Sequence, residues 1–214
     1  MTRQVHPVPQ IADGPAVADV ERACWQEFHR ALHDRSHGWR TPTLATVNSQ
    51  GQPQARTVVL RLTNPEARTL TVYSDSRAEK IKQLKAHPTL ALVFWCPRLG
   101  WQLRLQARAT LITDGADHEQ LCADLAASPA ARDYLSPLAP GWPLSPQAPE
   151  AAHPQSPMAD RTDSSLPTPA VVTRDLHLAL IRMHVTQGDW LALSREGHRR
   201  VKFSPGQPAL EVQA

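Results

Sequence analysis

The run WQLRLQARATLITD, residues 101–114, alternates apolar and polar side chains. Leu103, Leu105, Ala107, Ala109 and Leu111 fall on one face, and Gln102, Arg104, Gln106, Arg108 and Thr110 on the other. A period of two is the signature of a strand with one buried and one wetter face. Such a strand needs neighbours to cover it, because one or two isolated strands are barely stable in water. The chain supplies candidates in TLATVN (43–48), ARTVVLRL (55–62), RTLTVYS (68–74) and TLALVFW (89–95). Gly- and Pro-bearing turns such as SQGQPQ and TNPEA separate them. Links this short suit antiparallel pairing, since parallel neighbours need a crossover of a dozen residues or more. The predicted fold class is therefore mainly β, an antiparallel meander or barrel with flanking helices.

Helical spacing appears over 16–36, where Val17, Val20, Ala23, Cys24, Phe28, Ala31 and Leu32 form a stripe, and again over 115–135. His29, His33 and His37 are four apart on the first of these. No HExxH pattern accompanies them, so they read as a solvated face with metal binding as the alternative. Strand-like runs return at 176–187, 189–193, 198–203 and 209–213 and are expected to rejoin the same sheet. Between them, about 137–169 is rich in Pro, Ser and Ala, which predicts a long loop or a lid. The chain is expected to form one domain over residues 1–214.

Charge narrows the partners. A formal net charge of +3 suits an anionic small molecule, and with no dense basic run it does not suggest a nucleic-acid groove. Cys24, Cys96 and Cys122 are odd in number and widely spaced, which fits reduced thiols. The N-terminal stretch lacks an apolar leader core, and LALVFW is too short to span a bilayer. A cytoplasmic protein with no membrane partner is the expectation.

TVYSDSRAEKIKQLKAHPTLALVFW, residues 71–95, poses a more specific question. Ser76 and Glu79 have the spacing of a capping box, Ile81 and Leu84 give a buried stripe, and the short helix should stop before Pro88. Arg77 and Lys80 sit at the end of that helix where the backbone already carries partial positive charge. A bound anion would reverse that logic, because helix-end amides and a basic side chain together cradle phosphate. Simple solvation of both cations is the alternative. Arg56 and Arg61, bracketing the strand RTVVLR, offer further cations of a kind suited to phosphate.

The ordered set RTVVLR (56–61), VYSDSRAEKIKQLKAHP (72–88) and FWCPRLGWQLRLQARA (94–109), with Trp190 and Arg200 ten residues apart, resembles the pyridoxamine 5′-phosphate oxidase-like, FMN-binding split barrels. The resemblance is clearest over about 40–113 and is nearer to that family's less characterised branch. It implies a six-stranded antiparallel split β-barrel that pairs as a homodimer with FMN at the interface. It also implies cofactor contacts from Arg56, Val58, Val59, Leu60, Tyr73, Ser74, Lys80, Gln102, Trp190 and Arg200, with Gln102 given across the dimer. Glu79 stands where the family carries an arginine, and Arg77 is the candidate to compensate. Arg61 and His198 are the implied substrate contacts, with ordinary strand-surface polarity as the alternative. Glu196 replaces a substrate-binding arginine of the vitamin B6 enzymes, so the implied substrate is left as a small amine or alcohol. The implied activity is an FMN-dependent oxidoreductase whose flavin is reoxidised by oxygen. The alternatives are a non-oxidase flavin- or haem-binding split barrel and a deazaflavin-dependent reductase.

Overall fold

The structure is a computed structural model that describes residues 14–128, 131, 134–136, 138–143 and 176–214. Helix α1 (Val20–His33) leads into β1 (Thr43–Val47), β2 (Pro53–Thr57), β3 (Leu60–Asn64) and β4 (Thr69–Asp75). Helix α2 (Glu79–Ala86), β5 (Thr89–Cys96), β6 (Trp101–Ile112) and α3 (Ala116–Ala126) follow. After the segment about 137–169, which lies almost wholly outside the described residues, come β7 (Leu178–Ala192), β8 (Arg199–Phe203) and β9 (Leu210–Val212).

Every pairing is antiparallel, and the strands form one sheet in the order β2-β1-β5-β6-β7-β4-β3, with β8 beside β7 and β9 beside β8. The two ends of this path, β2 and β3, are consecutive in sequence and only Val58 and Val59 separate them. Two residues reach at most about 10 Å between their flanking Cα atoms. The sheet must therefore curl until its ends meet at that point. Val58 N still donates to Pro42 O at 3.0 Å on the β1 side, after which the chain crosses to pair with β4. Counting β2 and β3 as one interrupted strand, the barrel has six strands, as expected for a split barrel. The predicted continuous strand 55–62 is thus two strands, because neither edge alone can pair with the whole run.

The alternation of β6 is realised: Leu103, Leu105 and Ala107 are buried, while Arg104, Gln106 and Arg108 are exposed. The core also takes in Leu44, Leu60, Leu70, Val72, Leu92, Phe94, Ile181 and Val201. Helix α1 adds Val20, Cys24, Phe28 and Ala31 at helical spacing, and Phe28 meets Phe94 and Trp39 with ring centroids 5.0 and 5.1 Å apart. Burying such a stripe is what stabilises a helix of this length.

Other expectations are corrected. The runs 176–187 and 189–193 are one strand, β7, which passes through Gly188 without a turn. A Cβ at Gly188 would lie 2.2 Å from the Phe203 ring, so this glycine serves close packing. A bulge leaves Thr186 without a register partner, and its hydroxyl donates to Gln106 O at 3.1 Å. His37 is not on α1, which ends at His33. It is buried, its Nδ1 accepting from Trp39 N at 3.1 Å and its Nε2 facing Glu27 Oε2 at 2.9 Å. Among the described residues no three metal-ligating groups come together. No helix among them is long and apolar enough to cross a membrane.

Candidate functional site

The Ser76–Glu79 capping box does not form. Helix α2 begins only at Glu79, after Ala78, with no side-chain cap. Asp75 takes over the turn instead: Oδ1 accepts from Arg77 N at 2.7 Å and its carbonyl from Ala78 N at 3.1 Å, while Ser76 N donates to His177 O at 2.9 Å. Arg77 is folded back on the same carboxylate, with Nη2 2.7 Å from Asp75 Oδ2, and also donates to the carbonyls of Ser136 and Leu138 at 2.8 and 3.3 Å. Burial alone would raise the pKa of Asp75, but the Arg77 hydrogen bonds outweigh it and hold the carboxyl below its ordinary range. Arg77 is therefore charge-paired with Asp75 and braces the backbone at Ser136 and Leu138.

Lys80 has different surroundings. Half-buried on the first turn of α2, it donates from Nζ to Ser74 Oγ at 3.1 Å. Ser74 ends the core-facing file Leu70, Val72, Ser74 of β4, which carries its hydroxyl to the rim of the barrel. Arg56 approaches from β2, where Nη1 donates to Thr46 Oγ1 and Nη2 to Gln83 Oε1, the latter at 3.3 Å. Burial lowers the pKa of Lys80, the Arg56 charge lowers it further, and only Asp75 opposes them. Burial also lowers that of Arg56. Neither cation has an ion-pair partner among the described residues. Two partly desolvated cations within electrostatic reach of each other, held by hydrogen bonds only to neutral oxygens, cost stability in isolation. A phosphate between them would remove that cost, so the donor set fits a phosphorylated ligand.

Other predicted residues lie in distinct places. Val58 and Leu60 are buried and Val59 is half-buried at the crossing between the barrel edges. Tyr73 points to the face of β4 opposite Ser74, with the Arg61 guanidinium 5.7 Å from its ring centroid; burial raises its pKa. Gln102 and Arg200 lie on the outer face of the sheet, flanking Leu191 in register. Arg200 pairs with Asp189 through Nε and Nη2 at 2.9 and 2.8 Å, and Arg104 reaches the same carboxylate at 2.6 Å. A groove of about 730 Å³ crosses this face, lined by Val93, Arg104, Gln106, Asp189, Lys202 and Leu210 among others. Trp190 is in the core, 1% exposed and edge-on to Trp101 at 5.1 Å. His198 sits in the turn before β8, its Nδ1 accepting from Ser194 N at 3.3 Å.

This architecture has relatives. The family described as pyridoxamine 5′-phosphate oxidase, FMN-binding domain, matches residues 22–113. The pyridoxine/pyridoxamine 5′-phosphate oxidase of Chromohalobacter salexigens is 41% identical over 81 residues, which are 38% of this chain and 37% of that protein. Its namesake from Myxococcus xanthus is 35% identical over 87 residues, 41% of each chain. A solved pyridoxamine 5′-phosphate oxidase-related, FMN-binding protein from Nostoc punctiforme superposes with a TM-score of 0.61 at 21% identity, covering 90% of this chain and 96% of its own. The fold is that of the pyridoxamine 5′-phosphate oxidase-like split barrels. PhzG from Burkholderia lata, solved with tetrahydrophenazine-1-carboxylic acid, has the same TM-score of 0.61 at 16% identity, covering 99% and 98%. The chain spans less than half the length of the curated relatives it matches.

Thr46, Gln83, Asp75 and Asp189 are not among the predicted site residues, yet each holds one of them. Gln83 had a usable signal, lying three residues after Lys80 and hence on the same helix face. Asp189 had none, because strand pairing alone brings it to Arg104 and Arg200.

Proposed function

We propose that this chain binds FMN by its phosphate and acts as an FMN-dependent oxidoreductase on a small molecule. The observation that carries the reading is the Arg56–Lys80 pair, two half-buried cations whose hydrogen-bond partners are all neutral. Arg56 and Lys80 would take the phosphate and the Ser74 hydroxyl would orient the Lys80 ammonium. Val59 would offer apolar surface to the ring, and Val58 and Leu60, buried on either side of it, would hold the backbone that faces it. FMN, when bound, would supply hydride acceptance and its own reoxidation by oxygen.

The outer face offers the remainder of a site to a second copy of the chain. Val93 and Trp95, 38% and 43% exposed, flank Gln102 and Arg104 in register, and a pairing there would carry Gln102 and Arg200 with it. Arg200 uses Nε and Nη2 on Asp189, which leaves Nη1 for a ligand. Arg61 and His198 serve as polar contacts to substrate, and Trp190 supports from the core the strand that carries this face.

The test is the absorbance spectrum of purified protein mixed with FMN and desalted. Retained flavin bands, followed by peroxide release with a panel of small amines and alcohols, are the expected result. Protein that retains no flavin and does not quench FMN fluorescence at micromolar concentration refutes the reading.

A further inference from the structure

Gln83 is 6% exposed on α2, and Thr46 is 2% exposed on β1. The Thr46 hydroxyl donates to Gln83 Oε1 at 2.6 Å and in turn accepts from Arg56 Nη1, while Arg56 Nη2 donates to the same amide oxygen at 3.3 Å. Two donors converge on Oε1, which settles the amide orientation, since the reverse flip would set its NH2 against the guanidinium. The triad ties the strand bearing Arg56 to the helix bearing Lys80. A glutamate would occupy almost the same volume and bind a guanidinium more strongly. The molecule uses that stronger solution elsewhere, giving Arg77 to Asp75 and Arg200 to Asp189. At Arg56 it uses two neutral oxygens, so the guanidinium is fixed in direction and its charge is left uncompensated.

We propose that Gln83, with Thr46, is a positioning residue that aims Arg56 as an uncompensated cation beside Lys80 and so makes the site selective for dianionic phosphoesters over uncharged ligands. This inference rests on the FMN reading and deepens it. The net charge presented to a ligand is set by the residue that holds Arg56 as well as by Arg56 and Lys80 themselves. A carboxylate at position 83 would keep the geometry and cancel one of the two charges.

The experiment compares wild type, Gln83→Glu and Thr46→Val by fluorescence quenching with FMN and with riboflavin, which lacks the phosphate. Thermal unfolding of the unliganded proteins is followed alongside. Gln83→Glu is expected to weaken FMN roughly 100-fold while riboflavin stays within about threefold and the unliganded unfolding temperature does not fall. Thr46→Val, which only loosens the aim of Arg56, is expected to weaken FMN roughly tenfold with riboflavin again spared. A Gln83→Glu protein with wild-type FMN affinity overturns the inference, as does an equal loss of FMN and riboflavin. Should Gln83→Glu fail to fold, the Thr46→Val ratio of FMN to riboflavin decides in the same way. If wild type takes up no FMN, the flavin reading fails and the inference is judged with inorganic pyrophosphate. Stabilisation of wild type but not of the variants then supports it, and equal or absent stabilisation overturns it.

Discussion

Replacing Lys80 by methionine tests the phosphate site at its most exposed assumption. Methionine preserves most of the apolar stem and removes only the charge. In the unliganded protein the ammonium is partly desolvated and lies within reach of the Arg56 charge, and its one hydrogen bond goes to a neutral hydroxyl. Its loss should therefore leave the unliganded fold as stable as wild type or more so near neutral pH. With phosphate bound, a unit charge pair about 4 Å apart at an effective dielectric of about 20 is worth about 4 kcal/mol in gross terms. Desolvation of both partners takes back a large part, and hydrogen bonds between charged groups net about 1.5–3 kcal/mol in practice. A loss of about 2–3 kcal/mol is expected, which is roughly 30- to 150-fold in FMN affinity. Quenching of FMN fluorescence measures it, with riboflavin as the ligand that should not change. The reasoning is refuted if Lys80→Met binds FMN within threefold of wild type, or if wild type binds riboflavin as tightly as FMN.

Asp189 gives a pH signature. Burial acts to raise its pKa, but the hydrogen bonds from Arg200 and Arg104 prevail and hold it below the ordinary range. An acid lowered in the folded state stabilises above its unfolded pKa, about 3.9, and loses that contribution as the pH falls through the folded value. The gap in unfolding temperature between wild type and Asp189→Asn should thus be full at pH 7 and shrink below about pH 4; a gap unchanged at the lowest pH reached contradicts it. Gly188→Ala forces a Cβ to within 2.2 Å of the Phe203 ring and should cost about 1–3 kcal/mol in denaturant unfolding, partly restored by a second change, Phe203→Leu. Glu27→Gln removes the buried charge that holds both the exposed Arg30 guanidinium and the buried His37 imidazole, so the hydrogen bonds to it weaken. The urea midpoint should fall by an amount equivalent to about 1–3 kcal/mol.

Much of the barrel was legible locally. β6 was readable because its alternation is a property of neighbouring residues, and α1 because Val20, Cys24, Phe28 and Ala31 recur at helical spacing. The misreadings share a cause. The break at Val58–Val59 depends on where β1 and β4 end up, since β2 pairs with one and β3 with the other. Gly188 reads as a turn residue until Phe203 packs on it. His37 lines up with His29 and His33 only if the helix continues; instead it lies past the helix end, where the chain folds back and brings it to Glu27 of α1 and to Trp39. The capping box gave way to an Asp75 turn in which His177, from the start of the C-terminal strands, takes the Ser76 N–H.

The candidate site divides along the same line. By itself the sequence determined which residues are cations, that Lys80 heads a short helix, and that Arg56 lies in an extended run, because residue type and short-range period are local facts. Only the tertiary structure decided which of those cations are neutralised. Arg77 and Arg200 find carboxylates, Arg56 and Lys80 find an amide and hydroxyls, and this difference is the ground for proposing the latter pair as an anion site. The physical reason is that charge compensation acts over a few ångströms in space. Residues as far apart in sequence as Thr46 and Gln83, or Arg104 and Asp189, come that close only when the sheet has curled and paired.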